Sequence, residues 1–166
     1  MVGFYYEDYK FLPDKRYIIL YRGCFQVLHK GHYSLLEKYI HLPNVKYYIS
    51  QMDRKKRHGV PYYFSRKIWK MYIDELVPEH KNKIILKEMK TSLDVLDFVD
   101  DIDVVIFLRG GEEGEDLKQL EKDRAIKYEI LISKLKRRGI KMDFLVIDRP
   151  PQHSFYDETR RSSQAQ

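Results

Sequence analysis

The stretch Tyr17-Ile18-Ile19-Leu20-Tyr21-Arg22-Gly23-Cys24-Phe25-Gln26-Val27-Leu28-His29-Lys30-Gly31-His32 decides the fold. Its opening five residues form a nearly continuous apolar run, the pattern of a strand buried on both faces of a parallel sheet. Beyond His32, the apolar residues Leu35, Leu36, Tyr39 and Ile40 recur at helical spacing, and Pro43 closes the segment. A strand therefore passes through a glycine-bearing turn into a helix. Gly23 permits a tight turn, Gly31 permits close approach by a phosphate, and the free N–H groups at the helix start point toward an anion. His29 and His32 flank Gly31, where two imidazoles can donate hydrogen bonds to phosphoryl oxygens as charge develops in a displacement.

Outward from this stretch the pattern repeats. Residues 45–52 read as a second strand, and Asp53-Arg54-Lys55-Lys56-Arg57-His58-Gly59 reads as a basic loop with no apolar period. From Ser65, the residues Ile68, Trp69, Tyr72, Ile73 and Leu76 mark one helix face that stops before Pro78. Residues 83–89 suit a third strand, and Thr91 with Asp94 suits a capping box opening a helix through Leu93, Leu96 and Val99. Residues 103–108 make a core strand ending at Arg109-Gly110-Gly111. A long helix is expected over 115–138, with Leu117, Leu120, Leu131 and Leu135 inward and Gly139 as its stop, before a fifth strand over 142–147.

Strands alternating with helices predict right-handed crossovers, hence an α/β fold with a doubly wound parallel five-stranded sheet and helices on both faces. Such sheets bind ligands beyond the carboxyl ends of their strands, which singles out the loops starting at Gly23, Asp53, Arg109 and Asp148. The 166 residues suit one domain, expected over 1–161, with 162–166 a disordered tail.

Composition narrows the possibilities. No stretch reaches the roughly 20 apolar residues of a membrane helix, and no basic-then-apolar leader opens the chain, so a soluble cytoplasmic protein is expected. The lone Cys24 excludes an internal disulfide framework and any multi-cysteine zinc site, and it reads as pocket lining. The net charge of +6 implies attraction to anions, whether a polyphosphate, nucleic acid or acidic lipid.

At Gly23, Phe25, His29, Gly31 and His32 the chain resembles the HxGH nucleotidylyltransferase superfamily, whose shared pattern is G-x-F-x-x-x-[HT]-x-G-H. Gln26 with His29-Lys30-Gly31-His32 is especially similar to the FQPFHKGH form of some nicotinamide-mononucleotide adenylyltransferases. Pro61-Tyr62-Tyr63-Phe64-Ser65-Arg66-Lys67 resembles the segment opening the family's arginine-bearing helix. Arg109, Gly110 and Asp116 match the RGxRxxxD turn of pantetheine-phosphate adenylyltransferases, with Glu112 in place of the second arginine. The last signature, IS[ST][ST]xx[RK], is matched only in part, by Thr159, Arg160 and Arg161, and Asp157 and Glu158 there would repel a triphosphate unless a metal intervened. The resemblance spans 17–161.

The resemblance implies a Rossmann-like sheet and a nucleotidylyltransferase, which moves a nucleoside monophosphate from a triphosphate to a phosphorylated small molecule and releases pyrophosphate. Mg2+ is the implied cofactor, with no metal ligand from the chain, and relatives imply a homo-oligomer. By the same resemblance His29 and His32 stabilise the transition state, and Lys55 or Lys56 closes over the triphosphate. Gly23, Cys24, Phe25, Gly31, Arg66, Arg109, Gly110, Asp116, Thr159 and Arg160 bind nucleotide. The Arg109-Gly110 turn and the HKGH wording favour ATP; the stretches 32–37 and 56–63 also resemble CTP-using enzymes for polyol phosphates. A different class of answer is a non-catalytic relative that binds nucleotide or RNA through its basic surface, which the partial last motif favours. An RNA-binding role predicts steep loss of binding with salt.

Overall fold

A computed structural model describes residues 2–23, 30–51, 62–88, 90–111 and 114–148. Six parallel strands form one sheet: β1 (Gly3–Tyr6), β2 (Tyr17–Gly23), β3 (Val45–Gln51), β4 (Ile84–Glu88), β5 (Val104–Gly111) and β6 (Lys141–Asp148), in the order β1-β6-β5-β2-β3-β4. The helices are α1 (Lys30–Ile40), α2 (Tyr62–Leu76), α3 (Leu117–Lys127) and α4 (Glu129–Arg137), with two 3₁₀ segments at Pro78–Lys83 and Ser92–Phe98. The order reverses between β2 and β5. Chain order runs outward from β2 through β3 to β4 in one direction, and from β5 to β6 in the other. That reversal makes the carboxyl edge between β2 and β5 the natural ligand crevice of a doubly wound sheet.

Strand alternation sorts the core into two layers. Ile19, Tyr21, Tyr47, Ile49, Ile106, Leu108, Leu145 and Ile147 face α1 and α2, where Leu36, Tyr39, Trp69 and Ile73 meet them. Ile18, Leu20, Tyr48, Val105, Phe107 and Phe144 face the other way, against Val95, Val99 and the α4 residues Leu131 and Leu135. Residues in the middle of β2 are buried on both faces, as the apolar run at 17–21 predicts.

Four features differ from the sequence reading. The sheet has six strands, because the short run Gly3-Phe4-Tyr5-Tyr6 pairs with β6 from Gly3↔Asp143 to Tyr6↔Val146 and covers its edge. Next, α1 begins at Lys30, so Gly31 and His32 lie inside its first turn. The segment after Thr91 winds as 3₁₀, although the expected capping box forms: Thr91 accepts from Leu93 N–H, and Asp94 accepts from Thr91 N–H. Finally, the long helix expected over 115–138 breaks at Tyr128. The break turns the Tyr128 ring into the core, 4.8 Å from Phe107, so that only α4 packs an apolar stripe on the sheet. Leu117 is thereby left exposed and α3 has no buried residue. Gly139 ends α4 as expected, with φ of +73°.

Two polar anchors fix the first helix against its neighbours. The Lys83 ammonium donates to the carbonyls of Ile40 and Leu42, at 2.5 and 2.6 Å, satisfying acceptors at the carboxyl end of α1. The Tyr47 hydroxyl donates to the Leu35 carbonyl inside the core at 2.7 Å. Among the described residues, no helix is long and apolar enough to cross a membrane.

Candidate functional site

The carboxyl edge is built from the ends of β2, β3 and β5 and the openings of α1 and α2. Register pairs Gly23 with Gln51 and Arg22 with Ser50, and it pairs Tyr21 with Leu108 on the other side. The β2–β5 ladder ends at that Tyr21–Leu108 pair, and Arg22 and Gly23 continue β2 beyond it in pairing with β3.

α1 and α2 are tied to this edge by specific contacts. The Tyr21 hydroxyl donates to the His32 carbonyl at 3.3 Å, holding the first turn of α1 to the end of β2. Gly31 is buried in that turn, and the Ser34 hydroxyl donates to its carbonyl at 2.9 Å. The Gln51 amide donates to the Ser65 hydroxyl at 2.6 Å, both residues buried, which docks α2 onto the end of β3. Tyr33 and Tyr72 stack with ring centres 3.8 Å apart, and Tyr33 meets the Trp69 ring edge-on at 5.4 Å. These rings lock the two helices together, so His32 and Arg66 open onto the same edge from consecutive crossovers.

Polar atoms accumulate here without partners. Among the described residues, Ser50 Oγ, Gln51 Oε1 and Arg66 Nε are buried with no hydrogen-bond partner. Buried polar atoms are nearly always satisfied, and each exception calls for an explanation such as water or a ligand. Gln51 Oε1 and Arg66 Nε sit at the β3–α2 junction, next to the crevice predicted from topology, while Ser50 follows Tyr48 onto the opposite face of the sheet.

Arg109 lies two residues before the end of β5, on the face toward α3. Its guanidinium donates to Glu115 Oε2 at 2.7 Å, with the two side chains only 21% and 18% exposed. Asp116 caps α3 by accepting from Gln119 N–H at 3.2 Å. Thus Gly23, Gly31, His32, Arg66, Arg109 and Gly110 gather at one edge, while Asp116 serves the fold as a helix cap beside it. Cys24, Phe25, His29, Lys55, Lys56, Thr159 and Arg160 lie outside the described residues.

Sequence reading missed Arg22, Arg124 and Tyr128. The Tyr128 hydroxyl accepts from Arg22 Nη1 at 3.2 Å and from Arg124 Nη1 at 3.3 Å. One signal was available: Arg22 is the only charged residue in the strand 17–23. Among the described residues, no group of three or more His, Cys, Asp or Glu is placed to hold a metal ion.

No family model and no curated protein matches the chain. Among solved structures, a Vibrio parahaemolyticus protein provisionally described as a nicotinate-nucleotide adenylyltransferase superposes with a TM-score of 0.51. It is 12% identical, over 89% of this chain and 80% of that one. A lipopolysaccharide core biosynthesis protein of Thermoplasma volcanium GSS1 is 19% identical, over 82% of this chain and 98% of that one, with a TM-score of 0.47. The first likeness shows a shared α/β fold.

Proposed function

We propose that the protein is a nucleotidylyltransferase that binds a nucleoside triphosphate, ATP by preference, at the carboxyl edge between β2 and β5. There it transfers the nucleoside monophosphate to a phosphorylated small molecule. The observation that carries this reading is the convergence of the Gly31-His32 turn of α1, Arg66 of α2 and Arg109 of β5 on the switch point. Both the fold shared with the Vibrio protein and the partnerless polar atoms at the β3–α2 junction support it.

In the proposed reaction an oxygen of the acceptor's phosphate attacks the α-phosphorus in line. A new P–O bond forms as the bond to the β-phosphate oxygen breaks, and pyrophosphate leaves with the electron pair. Such a displacement needs positioning and charge stabilisation rather than a covalent enzyme intermediate. The helix opening at Lys30 offers backbone N–H groups to the triphosphate, and His32 with His29 donates to oxygens that gain charge in the transition state. Arg66 and Arg109 hold phosphate oxygens by charge-assisted hydrogen bonds, and Lys55 or Lys56 closes over the triphosphate. Mg2+ would enter with the incoming triphosphate, bound to its oxygens as part of the substrate.

The test is pyrophosphate release with ATP, CTP, GTP and UTP against a panel of phosphorylated acceptors, for wild type and His32→Ala. Release with one nucleotide, reduced about 10²- to 10³-fold in the variant, is the expected result. Release with CTP alone would replace the adenylyl reading by a cytidylyl one. Silence throughout, with salt-sensitive RNA binding that survives His32→Ala, would overturn the enzymatic reading.

A further inference from the structure

Helix α3 flanks the carboxyl edge without burying a residue against it. We propose that α3 is a flap hinged at Tyr128, latched shut in the free protein by the Arg109–Glu115 pair and released when a phosphate group takes Arg109. That the phosphate belongs to a nucleotide rests on the transferase reading; the hinge and the latch do not.

The two helices on either side of Tyr128 are held in different ways. α4 buries Leu131 and Leu135 in the core, and Tyr128 is itself buried, its ring 4.8 Å from Phe107 and 5.9 Å from Phe144. In α3, by contrast, Leu117 and Ile126 are exposed. Beneath it a narrow apolar cleft remains between Leu120 and the rings of Phe4, Phe107 and Phe144, so packing there is incomplete. Polar side chains tie α3 to the sheet. The Tyr6 hydroxyl donates to Glu121 Oε2 at 2.7 Å, and the Arg124 guanidinium lies 5.4 Å from the Phe107 ring centre. Just ahead of the helix, Glu115 accepts from Arg109 at 2.7 Å. A segment with so little buried apolar surface opens locally at a lower free energy than the core beside it. Tyr128, where the regular helix already breaks and one ring is anchored, is the place for such a segment to pivot.

Arg109 couples this flap to the crevice. Its guanidinium bonds Glu115, so a phosphate oxygen that takes the guanidinium weakens the hold on a mostly buried carboxylate. Burial, then the hydrogen bond and charge of Glu121 and the charge of Glu115, raise the Tyr6 hydroxyl to about 12. Both carboxylates thus act on one hydroxyl, and they repel each other more strongly once Arg109 offsets them less. Swinging α3 outward about Tyr128 hydrates Glu115 and Glu121 while the buried residues of α4 keep their places. The same movement frees Arg109 for the ligand and opens the crevice on the side of α3.

The experiment is hydrogen–deuterium exchange of the full chain, with the amides of α3 and α4 followed separately. Wild type, Arg109→Ala and Tyr6→Phe are compared, alone and with saturating inorganic pyrophosphate or non-hydrolysable ATP analogue, binding being checked by calorimetry. In Arg109→Ala, exchange in α3 should quicken about tenfold, the scale of one charge-assisted contact, while α4 stays within about twofold. Tyr6→Phe keeps the ring and should quicken α3 about threefold. Either ligand should quicken α3 of wild type about tenfold and add little in Arg109→Ala. Should Arg109→Ala disturb the packing under α3, Arg109→Met fills the stem's space without the charge, and the same release is expected. Exchange in α3 that is unchanged or slowed by bound ligand overturns the proposal. So does α4 quickening in step with α3, which would make the two helices one unit, and so does pyrophosphate that fails to bind. Release of α3 by pyrophosphate with no binding of the analogue would keep the flap and defeat the transferase reading.

Discussion

Arg109 Nη1 lies 2.7 Å from Glu115 Oε2, so the arginine near the carboxyl end of β5 is held by a carboxylate from the loop that follows the strand. The pair is mostly buried, where a charge-assisted bond is strong and its loss is felt. In the proposed reaction a phosphate oxygen competes with Glu115 for the same guanidinium. Glu115→Gln should therefore raise affinity for inorganic pyrophosphate by about three- to tenfold, the scale of one charged contact, and Arg109→Ala should lower it. Titration of both variants checks this, and unchanged affinity in both would remove Arg109 from the site.

Ser65 secures α2 to the sheet by accepting from the buried Gln51 amide. Ser65→Ala strands that amide, whose Oε1 already has no partner among the described residues. A cost of about 1 to 3 kcal/mol is expected, measured by urea unfolding. Because α2 carries Arg66, triphosphate affinity should fall in parallel.

Lys83 bridges two carbonyls at the end of α1, and burial lowers the pKa of its ammonium. Lys83→Met retains much of the stem but leaves both acceptors unpaired, for an expected loss of about 1 to 3 kcal/mol in chemical denaturation. Desolvation alone sets the direction of this shift. Since the pKa is depressed, the folded state releases its proton sooner than the unfolded chain as pH rises. The unfavourable contribution of the ammonium's desolvation is present at neutral pH and fades as pH rises through the folded pKa toward the unfolded one.

Asp103 joins the start of β5 to the residue before β2. Its carboxylate accepts from the Arg16 backbone N–H at 2.8 Å, and the guanidinium lies 3.4 Å away. The backbone hydrogen bond, then the side-chain bond to Arg16, lowers the Asp103 pKa below its ordinary value. A depressed carboxylate stabilises the fold above its unfolded pKa and loses that effect as pH falls through the folded one. Asp103→Asn should therefore lower the melting temperature more at pH 7 than at an acid pH where the carboxylate is protonated in both folded and unfolded states. Equal shifts at both pH values would show that the charge contributes nothing.

Much of the fold was legible because its main signals are local. The apolar run at 17–21, the glycine turn and the helical spacing after it give strand, turn and helix from neighbours in the chain. Thr91 with Asp94, and Gly139, mark segment ends through bonds spanning a few residues. The first strand escaped notice because its four residues become a strand only on meeting β6. The break at Tyr128 was equally hidden. Its cause is the fit of one ring between Phe107 and Phe144, on strands distant in sequence.

The candidate site divides along the same line. The sequence by itself determined that a strand-to-helix turn carries Gly31 and His32, that arginines follow at 66 and 109, and that the chain is basic, because motif and charge are properties of residue order. Only the tertiary structure decided which of these share an edge. It alone brought Arg22 and Arg124 to one tyrosine hydroxyl and closed Arg109 on Glu115. Pairing between strands fixes register, and register fixes which face each side chain takes. A charge near the end of an apolar strand finds its partner only when the helix across the sheet is packed, as Arg22 meets Tyr128.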